Sequence, residues 1–250
     1  MRKALQILCA FDAQASMLTV TELSRRLGIP KSTTHNLLRT LQSMDFVRQD
    51  SERGHFQLGP RVFELGLLYS SRERLVSVAL PFMRRLADRS RETVKLARLS
   101  GSELLVLEAI ESPYELHTRG DVGRRAPLHC TGLGKALLAS LRGPEAKEIL
   151  ARTGLPRFTP RTITNLARME KELAQARRDG YALDCEENEQ GVVCLGVPVL
   201  NPAGQAAGAL SVSGPVTRLN NDFLREYAAI LIRTATDISG GLGSQDLHSR

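Results

Sequence analysis

Residues 19–41 read TVTELSRRLGIPKSTTHNLLRTL, two short helical patterns on either side of a breaker, Gly28-Ile29-Pro30. In the first, Val20, Leu23 and Leu27 recur at helical spacing, and Thr19 followed by Glu22 has the form of a capping box. The second begins after Pro30 and extends to Met44. Two short helices around a tight glycine-containing turn predict a helix-turn-helix. Laid out at about 100° per residue, the second helix gathers Leu37, Leu38, Leu41 and Met44 on one side, with Thr34 at its edge. Ser32, His35, Asn36, Arg39 and Ser43 lie opposite, flanked by Lys31 and Gln42. No acidic residue occurs between Lys31 and Met44. A leucine-packed helix whose other face offers donors and cations suits the major groove. Arginine reads guanine bidentately, asparagine reads adenine, and serine or threonine holds phosphate. The candidate DNA contacts on this helix are therefore Lys31, Ser32, Thr33, His35, Asn36 and Arg39.

The flanks extend this motif. Residues 2–13 form a helical pattern with Ala4, Leu5, Leu8 and Phe11 on one face, completing three helices. Phe46–Gln49 and His55–Leu58 are strand-like and enclose a turn-forming cluster, Asp50–Gly54, which predicts a β-hairpin. Three helices followed by a hairpin make a winged helix-turn-helix over residues 1–59. Arg53 at the hairpin tip is a candidate minor-groove or phosphate contact. Residues 60–74, with Val62, Phe63, Leu65, Leu67, Leu68 and Tyr69, are too apolar for a free tether and predict a linker helix.

A second domain is expected over residues 75–241. Its first helix turns Val78, Phe82 and Leu86 inward, and Pro81 predicts a kink or a break. Strand-like runs at 93–99, 104–110, 181–184, 192–200 and 206–213 alternate with helical patterns. One of these ends at Gly180, a C-cap signal. A closing helix spans Asn221–Ser239, and residues 242–250 read as a mobile tail. Hairpin-linked strands mixed with helices predict an α+β fold with an antiparallel sheet.

Composition sets the limits. The chain has 250 residues, a net charge of +7 and a pI of about 9.6, which favours polyanionic partners. The first sixty residues hold 8 Lys and Arg against 5 Asp and Glu, so the excess is not concentrated there. The absence of Trp disfavours single-strand binding by stacking. No stretch reaches the ~20 apolar residues of a membrane span. Cys9, Cys130, Cys185 and Cys194 show no pairing pattern, so reduced thiols in the cytoplasm are expected. No cofactor motif is present.

In the second domain, Thr131-Gly132-Leu133-Gly134 opens a helix. Its first N–H groups lack intrahelical partners and its dipole is positive at that end, so a carboxylate site is expected. Ser211 and Ser213 share a strand face and offer hydroxyls. Arg98, Arg119 and Arg124 are candidates to pair with an acid, and the sequence does not choose among them. A zinc or thiol site drawn from His129, Cys130, Cys185 and Cys194 is the competing reading, giving a redox or metal sensor. Its spacing is not a tight metal pattern. Enzymatic chemistry lacks G-x-S-x-G, H-E-x-x-H or G-x-x-x-x-G-K.

Five segments in order carry a family resemblance: IPKSTTHNLLRTL at 29–41, FQLGPRVFELG at 56–66, PLHCTGLGKALLA at 127–139, GYALDCEENEQGVVCLGVPV at 180–199 and GALSVSGP at 208–215. Across nearly its full length the chain resembles the IclR family of bacterial transcriptional regulators. The resemblance implies a winged-helix DNA-binding domain, a linker helix and a GAF-like effector-binding domain. It also implies homodimers that often associate as homotetramers, operator DNA as partner, and a small organic or aromatic acid as effector, with repression the commoner mode. Carried over by position, it assigns the effector pocket to Gly132, Leu133, Asp184, Val192 and Cys194, with Leu116 and Thr118 in the loop before. Asp184 either holds a ligand hydroxyl or ties down the pocket backbone.

Overall fold

The computed structural model describes residues 1–12, 15–50 and 54–244. The chain divides into two units, Met1–Glu73 and Arg74–Arg250.

In the first unit, α1 (Arg2–Leu8), α2 (Val20–Leu27) and α3 (Lys31–Ser43) precede a hairpin of β1 (Val47–Gln49) and β2 (Phe56–Leu58), then α4 (Pro60–Arg72). The capping box at α2 is complete. The Thr19 hydroxyl accepts from the Glu22 N–H at 3.2 Å, and the Glu22 carboxylate accepts from the Thr19 N–H at 2.8 Å. Gly28 closes α2 at φ +63°, a left-handed conformation that costs glycine little. The Ser24 hydroxyl then donates to the Ile29 carbonyl at 2.6 Å, tightening the turn into α3. Leu18 exchanges two backbone hydrogen bonds with Phe56, adding a bridge to the antiparallel β1–β2 pair. Ile7, Phe11, Leu18, Leu23, Leu38, Leu41, Val47 and Phe56 form one core.

Helix α1 ends earlier than its periodicity suggested. Beyond its end, Asp12 accepts the Ala15 N–H at 2.8 Å. Ile7, not Leu5, is the fully buried residue of α1, and Leu5 is exposed.

The second unit contains α5 (Arg74–Ser90), β3 (Thr93–Ser100), β4 (Glu103–Ile110), β5 (Arg125–Ala126), α6 (Gly132–Ser140), α7 (Gly143–Thr153), α8 (Leu166–Asp179), β6 (Ala182–Cys185), β7 (Val192–Leu200), β8 (Ala206–Pro215) and α9 (Asn221–Ser244). The sheet order is β5-β4-β3-β8-β7-β6, with every neighbouring pair antiparallel. One face carries Val94, Leu96, Leu195, Val197, Leu210 and Val212 against α5 and α9. The other meets α6, behind which α7 and α8 complete a second core. The architecture is α+β, as expected.

Two local expectations are corrected. Of the kink or break expected at Pro81, the break does not occur, because α5 is helical from Arg74 to Ser90. Pro81 lies on the exposed face, so the carbonyl that its missing N–H leaves free is not sealed in the core. Helix α9 runs to Ser244, and Leu242 is buried in the core under it, so residues 242–244 belong to the helix and not to a tail.

Thr19→Ala removes the cap and should lower the unfolding free energy of the first unit by about 1 kcal/mol. Thr40→Ala, whose exposed hydroxyl bonds only the Asn36 carbonyl, should stay within about 0.5 kcal/mol of wild type. Denaturant unfolding followed by helical circular dichroism distinguishes the two.

Candidate functional site

The first site is a helix face. Thr34, Leu38 and Leu41 anchor α3 in its core, and the Thr34 hydroxyl donates to the Pro30 carbonyl at 3.1 Å. On the opposite side Lys31, Ser32, His35, Asn36 and Arg39 are exposed, and Thr33 is half-buried. None of these five exposed side chains makes a hydrogen bond or ion pair among the described residues. Their donors are therefore available to a partner, and Lys31 and Arg39 give the face a positive charge. Arg53 lies outside the described residues.

The second site is built by strand register. Thr93, Ser213, Cys194 and Asp184 stand side by side across β3, β8, β7 and β6. The next row on the same face is Lys95, Ser211, Gly196 and Ala182. Strand alternation thus sends an apolar set to α5 and α9 and two polar rows toward α6. Helix α6 begins directly over these rows. A Cβ on Gly196 would lie 2.4 Å from the Gly132 carbonyl group, and a Cβ on Gly132 would lie 2.7 Å from the Cys194 carbonyl oxygen. Only glycine permits this approach. The Thr131 hydroxyl caps α6 by accepting the Gly134 N–H at 3.1 Å.

The loop before β5 closes one end. The Thr118 and Ser213 hydroxyls are 2.9 Å apart, and the Thr93 hydroxyl donates to the Thr118 carbonyl at 2.8 Å. Leu116 does not join the cluster. Arg218 donates to its carbonyl at 2.8 Å, and the Leu116 side chain is 69% exposed. Val192 stands on the same face as Cys194 at the half-buried start of β7, and Leu133 points into the core behind α6. The structure therefore brings together Thr118, Gly132, Asp184, Cys194, Ser211 and Ser213, with Val192 at the rim.

Asp184 is buried and accepts the N–H groups of Glu187 at 2.7 Å and Asn188 at 3.4 Å. Burial, helped by the neighbouring Glu187 charge, still pushes its carboxyl up to about 7. Burial also pushes the Cys130 thiol up to about 12 and the Cys194 thiol up to about 11, and it raises Cys185. Thiols held protonated in this way are poor nucleophiles and poor metal ligands at neutral pH. No group of three or more His, Cys, Asp or Glu among the described residues could hold a metal ion. The Ser211 hydroxyl is fully buried and lies beside the Cys194 thiol without a well-formed hydrogen bond.

Two residues escaped sequence reasoning. Lys135, fully buried on α6, is bonded to Glu187 and to Glu172 at 3.1 Å. Burial alone would lower its pKa, but the two carboxylates reverse this and raise it. Lys95 faces the polar rows half-buried. The signal for it was available, because a lysine two residues from Thr93 in the same strand shares its face. Of the three arginines singled out by charge, Arg124 pairs with Asp121 at 2.8 Å, Arg119 is exposed, and Arg98 falls on the face opposite Lys95.

A winged helix-turn-helix with an open polar recognition face, followed by a domain with a polar site under a helix N-terminus, defines a DNA-binding regulator with a small-molecule domain. The comparisons with known proteins agree. Residues 67–240 match the model of the bacterial transcriptional regulator IclR C-terminal domain, and residues 1–51 match the IclR helix-turn-helix domain. The chain belongs to the IclR family of bacterial transcriptional regulators. It is 37% identical over 243 residues to the HTH-type transcriptional repressor AllR of Escherichia coli K12, covering 97% of this chain and 90% of that protein. An IclR homolog from Microbacterium hydrocarbonoxydans, crystallised with 4-hydroxybenzoate, superposes with a TM-score of 0.85 at 30% identity, covering 96% of this chain and 97% of that one. The Thermotoga maritima IclR structure gives a TM-score of 0.78 at 28% identity, with 97% and 98% covered. No described helix is long and apolar enough to cross a membrane.

The Asp184 carboxyl titrates higher folded than unfolded, so the folded state holds its proton more tightly. Its stabilising contribution is complete below its ordinary value of 3.8 and is lost as pH rises toward about 7. Asp184→Asn cannot ionise. Its melting temperature should gain on wild type as pH rises from about 5 to about 7 and then hold level. A gap independent of pH would show that Asp184 titrates as an ordinary surface acid.

Proposed function

We propose that the protein is a transcriptional repressor whose grip on operator DNA is controlled by a small organic acid, either an aromatic acid or a catabolic intermediate. The observation that carries this reading is the α3 face, where Lys31, Ser32, His35, Asn36 and Arg39 are exposed with no intramolecular partner. An amphipathic helix held by a turn and a wing, with donors and cations facing out, has the form that enters the major groove. The repressor named among its relatives supports the sign of control, and the 4-hydroxybenzoate held by a structural relative supports the effector class.

The protein acts in this reading as a homodimer. Helix α4 exposes Phe63, Leu65 and Leu67, apolar area that association would cover. Two copies then present two α3 helices to the half-sites of a palindrome, about one helical turn or a multiple apart. The effector occupies the polar rows beneath the α6 N-terminus, using the Gly132 region, Asp184, Cys194, Ser211 and Ser213. Control follows only from unequal affinity of that acid for the two dimer geometries.

Gel shifts and footprints with DNA from upstream of the regulated genes test the reading. Arg39→Ala should cost about 1–3 kcal/mol on the operator and much less on random DNA if Arg39 reads a base. An equal loss on both assigns it to phosphate. No preference for any upstream fragment over bulk competitor, with or without added acids, sinks the reading.

A further inference from the structure

We infer that Lys95 is the residue that holds the effector's carboxylate, and that it makes the anion of a small monocarboxylic acid, not its neutral amide, the preferred ligand of the polar rows. This deepens the effector-site reading above and rests on it.

Four observations carry it. Lys95 stands directly opposite Ser211 in register, in the row that continues through Gly196 under the start of α6. Its side chain is half-buried and makes no ion pair or hydrogen bond among the described residues. Its neighbour Ser211 is fully buried, and its hydroxyl, beside the Cys194 thiol, makes no well-formed hydrogen bond. The Lys95 charge also favours the Cys194 thiolate, against the larger opposing effect of burial. A cation and a donor side by side, neither in a well-formed hydrogen bond, beneath a helix N-terminus with its positive dipole end, are the components of a carboxylate site. The one carboxylate of the polar rows, Asp184, is three strands away on β6. At about 4.8 Å per strand that separates the two backbones by about 14 Å, so Asp184 does not neutralise Lys95.

Gly196 is what lets the start of α6 rest directly on this row. Any side chain there would collide with the Gly132 backbone.

The test measures binding of acetate, lactate, benzoate and 4-hydroxybenzoate, each with its neutral amide, to the full chain by calorimetry. Wild type is compared with Lys95→Met, which keeps the apolar stem, and Lys95→Arg, which keeps the charge. The acid that binds best to wild type should lose about 10- to 100-fold in Lys95→Met. It should be largely restored in Lys95→Arg, and amide affinities should be equal in all three proteins. A purely structural role would weaken acid and amide alike and would overturn the inference. If the acid binds Lys95→Met as tightly as wild type, the Lys95 assignment falls and the effector reading stands. If none of the acids binds wild type, both fall.

Discussion

The second unit is organised around a lysine that water does not reach. Lys135 lies on α6 among Leu133, Ala136, Leu137 and Leu138, and its ammonium is met by Glu187 and Glu172. Removing one member of a buried pair of this kind costs about 3–5 kcal/mol, because the other charge is left alone in a medium that solvates it poorly. Here the pair also dictates geometry. Glu172 is on α8, and Glu187 follows β6, so one ammonium ties two helices to the edge of the sheet. Glu187 is held in turn by the Thr162 hydroxyl, which donates to its carbonyl at 2.6 Å. The Glu187 N–H is what Asp184 accepts at 2.7 Å. The position of Asp184 in the candidate effector site is thus inherited from the ion pair behind it.

With α6 pinned at Lys135, its first turn is pressed onto the sheet where Gly132 meets Gly196. The two faces of the sheet then serve different ends. The face against α5 and α9 is filled by branched aliphatics and contributes core stability. The face under α6 gives up such contacts along two rows for hydroxyls, a thiol, a carboxylate and an ammonium. Buried polar groups cost free energy unless they are hydrogen-bonded. Thr93, Thr118 and Ser213 satisfy one another. Ser211 is the hydroxyl of these rows left without a well-formed hydrogen bond, which marks where an added ligand would gain most.

The sequence disclosed what is local and hid what is not. The capping box, the Gly28 turn and the leucine spacing of α3 involve residues within a few positions of one another, and their geometry could be read directly. Leu5 was misjudged because the buried stripe of α1 runs through Ala4, Ile7 and Leu8, which leaves Leu5 outside it. The glycine-rich start of α6 and the hydroxyl face of β8 were also legible. The rows were not, because Thr93, Ser213, Cys194 and Asp184 become neighbours only through the register of four strands. Charge alone drew attention to Arg98, Arg119 and Arg124, whereas strand parity selects Lys95. Leu116 was assigned by position in an irregular loop, and there the structure exposes its side chain while Arg218 bonds its carbonyl.

The chain's net charge of +7 is therefore spent in two electrostatic regimes. On α3, Lys31 and Arg39 stand in water, where a single ion pair is worth little and salt screens it within about 10 Å. Such charges become useful only in number, against a polymer that presents many phosphates and releases its counterions on binding. Lys95 is half-withdrawn from solvent beside a fully buried hydroxyl. There the effective dielectric is lower, the attraction for one carboxylate is larger, and salt weakens it less. A small acid gains little from the exposed helix, and a duplex cannot enter a site bounded by Gly132 and Gly196. Burial, more than the identity of the cation, is what lets one basic chain separate a polyanion from a metabolite.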